Sequence, residues 1–338
     1  MRKENGRECE MRRKEVKMDN NGFYETQLEP EGREQTEVNV KKIISGVGLA
    51  LSLMAAAILL SQVILSNLIK NVIPEFQKSD WYVWILTAVS MYGVGLPVFY
   101  ILTKNIPDSK KKPVQKLKVS QFFIILFISA ATMYITNFFS VFINFIISVI
   151  KGGDLINPAM NAVFEGNPFI TFLYTSIGAP IVEEIIFRKI LLNKVRRFGD
   201  LPAILITGIA FGLFHMNLAQ IFYAAALGII FAYVTLRTNT IRYSILLHII
   251  VNTIGATLAP MAVREGNLVL ITLLGIWVIA SITAGIVLFI VFVGVKKKIV
   301  LEPGEVSVPK KSTYLLNAGA ILFLLICLTI MVRGIVLS

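Results

Sequence analysis

Residues 181–188 read Ile-Val-Glu-Glu-Ile-Ile-Phe-Arg, and they lie in the largely apolar run from Phe169 to Leu192. Two adjacent carboxylates, Glu183 and Glu184, therefore fall inside a segment long enough to cross a bilayer. Arg188 follows Glu184 by four residues, so a helix places these two on one face as an ion pair. Ionisable groups at membrane depth are costly and usually mark a functional site. The stretch predicts a transmembrane helix that carries chemistry.

The composition of the whole chain is typical of a membrane protein. Its 338 residues are 55% hydrophobic and only 16% charged, and the mean hydropathy is +0.71. A spanning helix needs about 20 apolar residues, and runs near this length predict an all-α, polytopic transmembrane helix bundle of about eight or nine spans. The runs lie at roughly 43–69, 81–103, 120–150, 169–192, 201–217, 218–236, 241–262, 268–294 and 314–336. The run 120–150 is too long for one straight span, so it must tilt, break or continue as an interfacial helix.

Polar and apolar stretches divide the chain into four predicted parts. Residues 1–42 hold ten basic and ten acidic residues and no apolar segment, a composition that favours a disordered cytoplasmic tail. Residues 43–150 are predicted to form N-terminal transmembrane helices. Residues 169–262 form the predicted catalytic transmembrane core, and residues 268–338 the C-terminal transmembrane helices.

The basic residues beyond the tail indicate membrane topology and not a nucleic-acid partner. The whole net charge of +12 arises after residue 42, mostly in short loops between apolar runs. With the N-terminus inside, the inner loops hold 19 Lys and Arg residues and the outer loops 4. The positive-inside rule therefore predicts a cytoplasmic N-terminus and an outer C-terminus. The small size and short loops favour a multi-pass protein of the plasma membrane, surrounded by membrane lipid.

Two further motifs follow the glutamates, and they contain both histidines of the chain. His215 ends the run Phe211-Gly-Leu-Phe-His215, in which Phe211 lies one turn earlier and is expected to pack against the ring. The second motif is His248-Ile-Ile-Val-Asn252, whose polar ends share one helical face. Glu183 lies about 100° around the helix from its neighbour, so it is free to act, and a carboxylate in an apolar cavity is a better base for water.

Each polar residue also has a purely structural interpretation. A membrane histidine can serve as an interhelical hydrogen-bonding group, and for His215 or His248 alone the structural and functional interpretations are balanced. For Glu184 and Arg188 a structural ion pair is the better interpretation. For Glu183 the functional interpretation is favoured.

Small residues predict close helix packing around these motifs. Gly208 and Gly212 are four residues apart, as are Ala224 and Gly228, a spacing that lets helix backbones approach. Pro180 is expected to kink its helix just before the glutamates.

The ordered set of three motifs resembles the CAAX protease and bacteriocin-processing family of intramembrane endopeptidases, also called the Abi family. The resemblance covers about residues 170–260, and each motif alone is weak. It is carried by Glu183-Glu184-Ile-Ile-Phe-Arg188, Phe211-Gly-Leu-Phe-His215 and His248-Ile-Ile-Val-Asn252, in this order on successive helices.

The resemblance implies a peptide-bond hydrolase that acts on a membrane-associated peptide or protein. Glu183 would be the general base that activates water, assisted by His215. His248 and Asn252 would stabilise the oxyanion of the tetrahedral intermediate. Peptide maturation and bacteriocin self-immunity are both functions linked to prokaryotic relatives. The supporting residues would be Glu184, Arg188 and Phe211.

The sequence leaves the use of a metal open, and no cofactor is certain. Glu183, His215 and His248 could supply three zinc (Zn) ligands with an open fourth position. The chain has no His-Glu-x-x-His motif, so such a site would be assembled from separate helices. Asn252 is a poor zinc ligand, which favours the metal-free mechanism.

Helix lengths set a condition on this site. Glu183 and His248 lie toward the inner ends of their apolar runs, whereas His215 lies 14 residues beyond Leu201, or about 21 Å along a helix. A straight span would put His215 near the outer side. The helix must therefore tilt or begin outside the hydrocarbon, or the site must lie in a deep water-filled cavity.

Two other functions are compatible with buried carboxylates and imidazoles. The first is a proton- or cation-coupled membrane transporter that uses the same Glu and His residues as a relay. The second is a catalytically inactive membrane scaffold. The complete motif set argues against the scaffold, and the absence of a visible internal repeat argues against the transporter.

Overall fold

The computed structural model describes residues 17–18, 24–25, 30–153, 155, 158–306 and 311–337, with only the backbone described before Val40 and at 158–160. These residues form ten helices, numbered here in chain order, and two paired two-residue strands. The helices are α1 Pro30–Val72, α2 Tyr82–Thr103, α3 Val119–Lys151, α4 Pro158–Glu165, α5 Pro168–Phe198, α6 Asp200–Phe214, α7 Leu218–Thr238, α8 Arg242–Arg264, α9 Leu268–Val295 and α10 Ala318–Leu337, and the strands are β1 Lys17–Met18 and β2 Tyr24–Glu25. Single 3₁₀ turns lie at Pro74–Lys78 and Lys311–Tyr314.

The helices form a membrane protein, as predicted. In the described part of the chain, eight helices are long and apolar enough to cross a bilayer, namely all except α4 and α6. The predicted all-α bundle of eight or nine spans is therefore confirmed. The ninth apolar run forms α6, whose 15 residues extend about 22 Å. The long run at 120–150 forms one continuous helix of 33 residues, α3.

The predicted disordered tail falls largely outside the described residues. Of residues 1–42, the segment 30–42 forms the beginning of α1, and the two short strands pair with each other.

The central helix of the bundle is α7, which contacts α3, α6 and α8. It crosses α6 at the predicted small residues: a Cβ placed on Gly228 would lie 2.9 Å from the Cα of Gly208, and one on Gly212 would lie 2.6 Å from the Cβ of Ala225. At this crossing the two backbones leave no space for side chains. The predicted close packing is confirmed, and it fixes α6 and its terminal histidine against α7.

Loops from distant parts of the sequence meet on one face of the bundle. The amide of Asp200 donates to the carbonyl of Glu302, and the Glu302 carboxylate pairs with Lys112 and Arg237. Arg196 donates to the side chain of Asn239 at 2.6 Å. The number of Lys and Arg residues in alternate loops predicted that these loops lie on the same, inner side of the membrane.

Candidate active site

The two glutamates lie at the middle of α5, and not toward its inner end as the apolar run suggested. The helix continues beyond Leu192 through charged residues to Phe198, because a neighbouring loop satisfies them. The ammonium of Lys194 donates to the carbonyl of Ile106 at 2.7 Å and pairs with Asp108 at 2.8 Å. Helix α5 is therefore longer than the apolar run from which it was predicted.

This extension removes the difficulty about the depth of the histidine on α6. Glu183 lies 15 residues before Phe198, and His215 lies 15 residues after Asp200. Since α5 ends where α6 begins, both side chains lie about 22 Å from the same connection. The two residues reach a similar depth without any unusual tilt.

Glu184 joins two partners in the interior of the bundle. Its carboxylate is fully buried and lies 3.3 Å from Nε of Arg188, which confirms the predicted ion pair. Its other oxygen accepts a hydrogen bond from Nδ1 of His248 at 3.1 Å, a contact that the sequence did not predict. Because an ionised carboxylate only accepts, Nδ1 of His248 must carry a proton.

Arg188 is a fully buried guanidinium held largely by aromatic rings. It lies 4.4 Å from the centroid of the Phe211 ring and 5.8 Å from that of Phe231, and Nη2 donates to the carbonyl of Gly228 at 3.4 Å. Cation–π contacts of this kind strengthen when they are desolvated. Arg188 thus ties α5 to α6 and α7 directly behind the carboxylates.

His248 lies between the two glutamates. Its Nδ1 faces Glu184, and its Nε2 lies 3.6 Å from Oε2 of Glu183. The ring is enclosed by Phe231 and Phe211, with centroid distances of 5.3 and 5.7 Å. Glu183 keeps 15% of its side chain exposed, whereas Glu184 has none. Glu183 is therefore the more accessible of the two carboxylates.

His215 directly follows Phe214, the last residue of α6. Its Nδ1 donates to the carbonyl of Phe211 at 2.8 Å, and the two rings meet edge to face at 4.9 Å, which confirms the predicted packing. The next residue, Met216, has φ of 50°, in the left-handed region where strain often accompanies function. Because Nδ1 is the donor, neutral His215 keeps an acceptor lone pair on Nε2.

Asn252 faces α5, as His248 does, so the predicted shared face is confirmed. Its Nδ2 donates to the backbone carbonyl of Thr175 at 2.9 Å. One of its two amide hydrogens is thus occupied within the protein.

Two tyrosines that the sequence did not single out pack against each other. The rings of Tyr92 and Tyr174 stack with their centroids 6.1 Å apart, and a Cβ on Gly178 would lie 2.9 Å from the Tyr92 hydroxyl. The two tyrosines lie on α2 and α5, outside the three motifs, and no local spacing in the sequence connects them.

The predicted zinc alternative stays a prediction. Within the described residues, no group of three or more His, Cys, Asp or Glu side chains is placed to hold a metal ion.

Comparison with known proteins supports the resemblance that the motifs indicated. Residues 165–254 match the family described as "Type II CAAX prenyl endopeptidase Rce1-like". Over 97 residues the chain is 35% identical to a Bacillus subtilis (strain 168) protein described as "Putative membrane peptidase YdiL". That match covers 28% of this chain and 40% of the relative. No solved structure matches the chain.

Proposed function

We propose that the chain is an intramembrane endopeptidase, because residues 165–254 match the family described as "Type II CAAX prenyl endopeptidase Rce1-like". It hydrolyses a peptide bond in a membrane-associated peptide or protein by means of a water molecule activated by Glu183. One observation carries the proposal: His248 lies between a fully buried carboxylate that orients it and a partly exposed carboxylate that can reach water.

Glu183 acts as the general base. It takes a proton from water, and the resulting hydroxide oxygen bonds to the carbonyl carbon of the scissile peptide. The same proton then passes to the amide nitrogen as the carbon–nitrogen bond breaks, which leaves a carboxylic acid and an amine. His215 accepts a hydrogen bond from the water through Nε2 and so orients it.

His248 and Asn252 stabilise the oxyanion. The Nδ1 proton of His248 is committed to Glu184, so Nε2 donates only when the ring is doubly protonated. The contact with Glu184 holds the ring so that Nε2 lies 3.6 Å from Oε2 of Glu183. Glu184 therefore orients this ring as the buried aspartate orients the histidine of a serine protease. The second amide hydrogen of Asn252 supplies the other donor.

The substrate class and the location follow from the membrane setting. We propose a multi-pass protein of the plasma membrane with a cytoplasmic N-terminus, acting on a peptide or protein that is anchored in or on the bilayer. Peptide maturation and bacteriocin self-immunity are the two biological roles that fit this chemistry. We propose the metal-free mechanism and expect no nucleic-acid partner.

The proposal is tested with purified protein in lipid and a library of fluorogenic, membrane-anchored peptides. Wild type should cleave part of the library with or without a chelator, and Glu183→Gln should be inactive. Glu75→Gln is the matched control, since its carboxylate lies in an exposed pair with Lys78 that contributes little to stability.

Two outcomes contradict the proposal. Cleavage that a chelator abolishes and zinc restores would replace the glutamate mechanism with a metallopeptidase. A library left intact by wild type, together with ion flux across vesicles that depends on Glu183, would identify a transporter.

A further inference from the structure

Three membrane helices carry a proline in their interior, each shortly after a π-turn. Pro97 follows the π-turn Val89–Gly95 in α2, Pro180 follows Phe172–Gly178 in α5, and Pro260 follows Thr253–Leu258 in α8. A proline ring collides with the preceding turn of a regular helix, and a wider turn relieves the collision. The expected kink at Pro180 is therefore accommodated as a π-turn.

The π-turn in α5 leaves one carbonyl without a donor from its own helix. The amide of Ala179 donates five residues back, to the carbonyl of Tyr174. The next residue, Pro180, has no amide hydrogen. Neither residue 179 nor residue 180 therefore donates a hydrogen bond to the carbonyl of Thr175. This carbonyl must accept from a group outside its own helix, since an unpaired carbonyl in the membrane is costly.

That partner is the side chain of Asn252 on α8. Its Nδ2 lies 2.9 Å from the Thr175 oxygen. Because a carbonyl only accepts, it can face the NH₂ group of a carboxamide but not its oxygen. The contact therefore fixes the orientation of the Asn252 carboxamide, with its nitrogen toward Thr175. Asn252 lies one turn beyond His248 on the same helix.

The hydrogen bond from a side chain to the free carbonyl occurs at Pro180 and at neither of the other two prolines, among the described residues. The same hydrogen-bond register leaves the carbonyls of Tyr92, before Pro97, and Gly255, before Pro260, without a donor from their own helices. Among the described residues, no side chain donates to either carbonyl. Only the carbonyl exposed by Pro180 orients a residue of the proposed active site.

We propose that Pro180 is a positioning residue: it keeps the Thr175 carbonyl free, and that carbonyl orients the Asn252 carboxamide toward the substrate. The inference rests on the proposed function and deepens it. Pro180 itself touches no reacting atom.

The test is Pro180→Ala in the full-length protein in lipid. An amide at position 180 lets the turn tighten, so that a backbone N–H reaches the Thr175 carbonyl and displaces Asn252. We expect kcat to fall about 10- to 100-fold with KM unchanged, as for a misplaced oxyanion donor. The thermal midpoint should not fall, because the neighbouring contact between Ser176 and Thr257 at 2.9 Å still joins α5 to α8.

Two controls separate positioning from a general effect on the helix. Pro260→Ala removes a proline in the same structural setting on α8 and should leave kcat unchanged. In an Asn252→Ala background, Pro180→Ala should have no further effect on kcat, because the group on which it acts is gone. Additive losses in the double variant would overturn the proposal.

A spectroscopic measurement tests the positioning without any activity. In protein labelled with ¹⁵N-asparagine, the side-chain signal of Asn252, assigned by its loss in Asn252→Ala, should shift in Pro180→Ala but not in Pro260→Ala. An unmoved signal overturns the inference about Pro180. A wild type without peptidase activity contradicts the proposed function, whatever the position of that signal.

Discussion

Glu184 and Glu183 are neighbours in sequence with opposite situations in the structure. Glu184 is fully buried between Arg188 and His248, whereas Glu183 is partly exposed and meets His248 only at 3.6 Å. Burial between two partners suits Glu184 to the proposed positioning role. Partial exposure suits Glu183 to the proposed role of the base that meets water.

Glu184→Gln should destabilise the fold much more than Glu183→Gln. Removing one partner of a buried ion pair leaves the guanidinium of Arg188 uncompensated, at a cost of about 3–5 kcal/mol. Chemical unfolding in mild detergent should show this loss for Glu184→Gln. If both variants unfold at the same denaturant concentration as wild type, the buried pair is not a structural element.

At the residue scale, the sequence predicted contacts within one helix and missed contacts between helices. The Glu184–Arg188 pair and the Phe211–His215 packing follow from residues four apart, because helix geometry alone sets them. The bond from His248 to Glu184 depends on how α8 packs against α5. No spacing in the sequence encodes that packing.

The crossing of α6 and α7 determines where His215 lies. A Cβ on Gly208 would lie 2.8 Å from the backbone nitrogen of Ile229, so Gly208→Ala must separate the helices. We expect a loss of about 1–3 kcal/mol of stability and reduced peptidase activity. Gly275→Ala on α9 is the control, because nothing lies within 4 Å of its added methyl group, and its stability should be unchanged or slightly higher. Equal unfolding curves for both variants would contradict this account of the crossing.

The loop after α9 is attached to the inner face through an acidic side chain. The hydrogen bond from Lys112 holds the pKa of Glu302 below its usual value of 4.5. A lowered pKa in the folded state gives stability that is present above pH 4.5 and is lost as the pH falls through the folded value. Protease protection of residues 296–306 should therefore weaken in acid, and Glu302→Gln should be weakly protected at every pH. Protection of wild type that does not change with pH would contradict this role.

Helix ends were the elements that hydrophobic patterns located least well. The apolar run stopped at Leu192, but α5 continues to Phe198 because Lys194 and Arg196 find partners in other loops. Those loops are far away in sequence. A hydropathy pattern reports lipid contact, and it does not report partners supplied by the tertiary fold.

Over the whole molecule, charge counting predicted which loops share a face, and the contacts of Glu302 bring several of them together. The side of the membrane on which that face lies can be tested in a variant without Cys9 and Cys327. A cysteine at Lys111 should react with an impermeant maleimide only in inside-out vesicles, and one at Glu265 only in right-side-out vesicles. The reverse pattern would contradict the proposed cytoplasmic N-terminus.

Isotope incorporation shows whether Glu183 delivers water to a peptide bond. A peptide from the fluorogenic library that wild type cleaves would be digested in H₂¹⁸O, and the masses of both fragments measured by mass spectrometry. We expect one ¹⁸O atom in the new C-terminal carboxylate, at a rate insensitive to chelator, and no cleavage by Glu183→Gln. Equal cleavage by Glu183→Gln and wild type would contradict it.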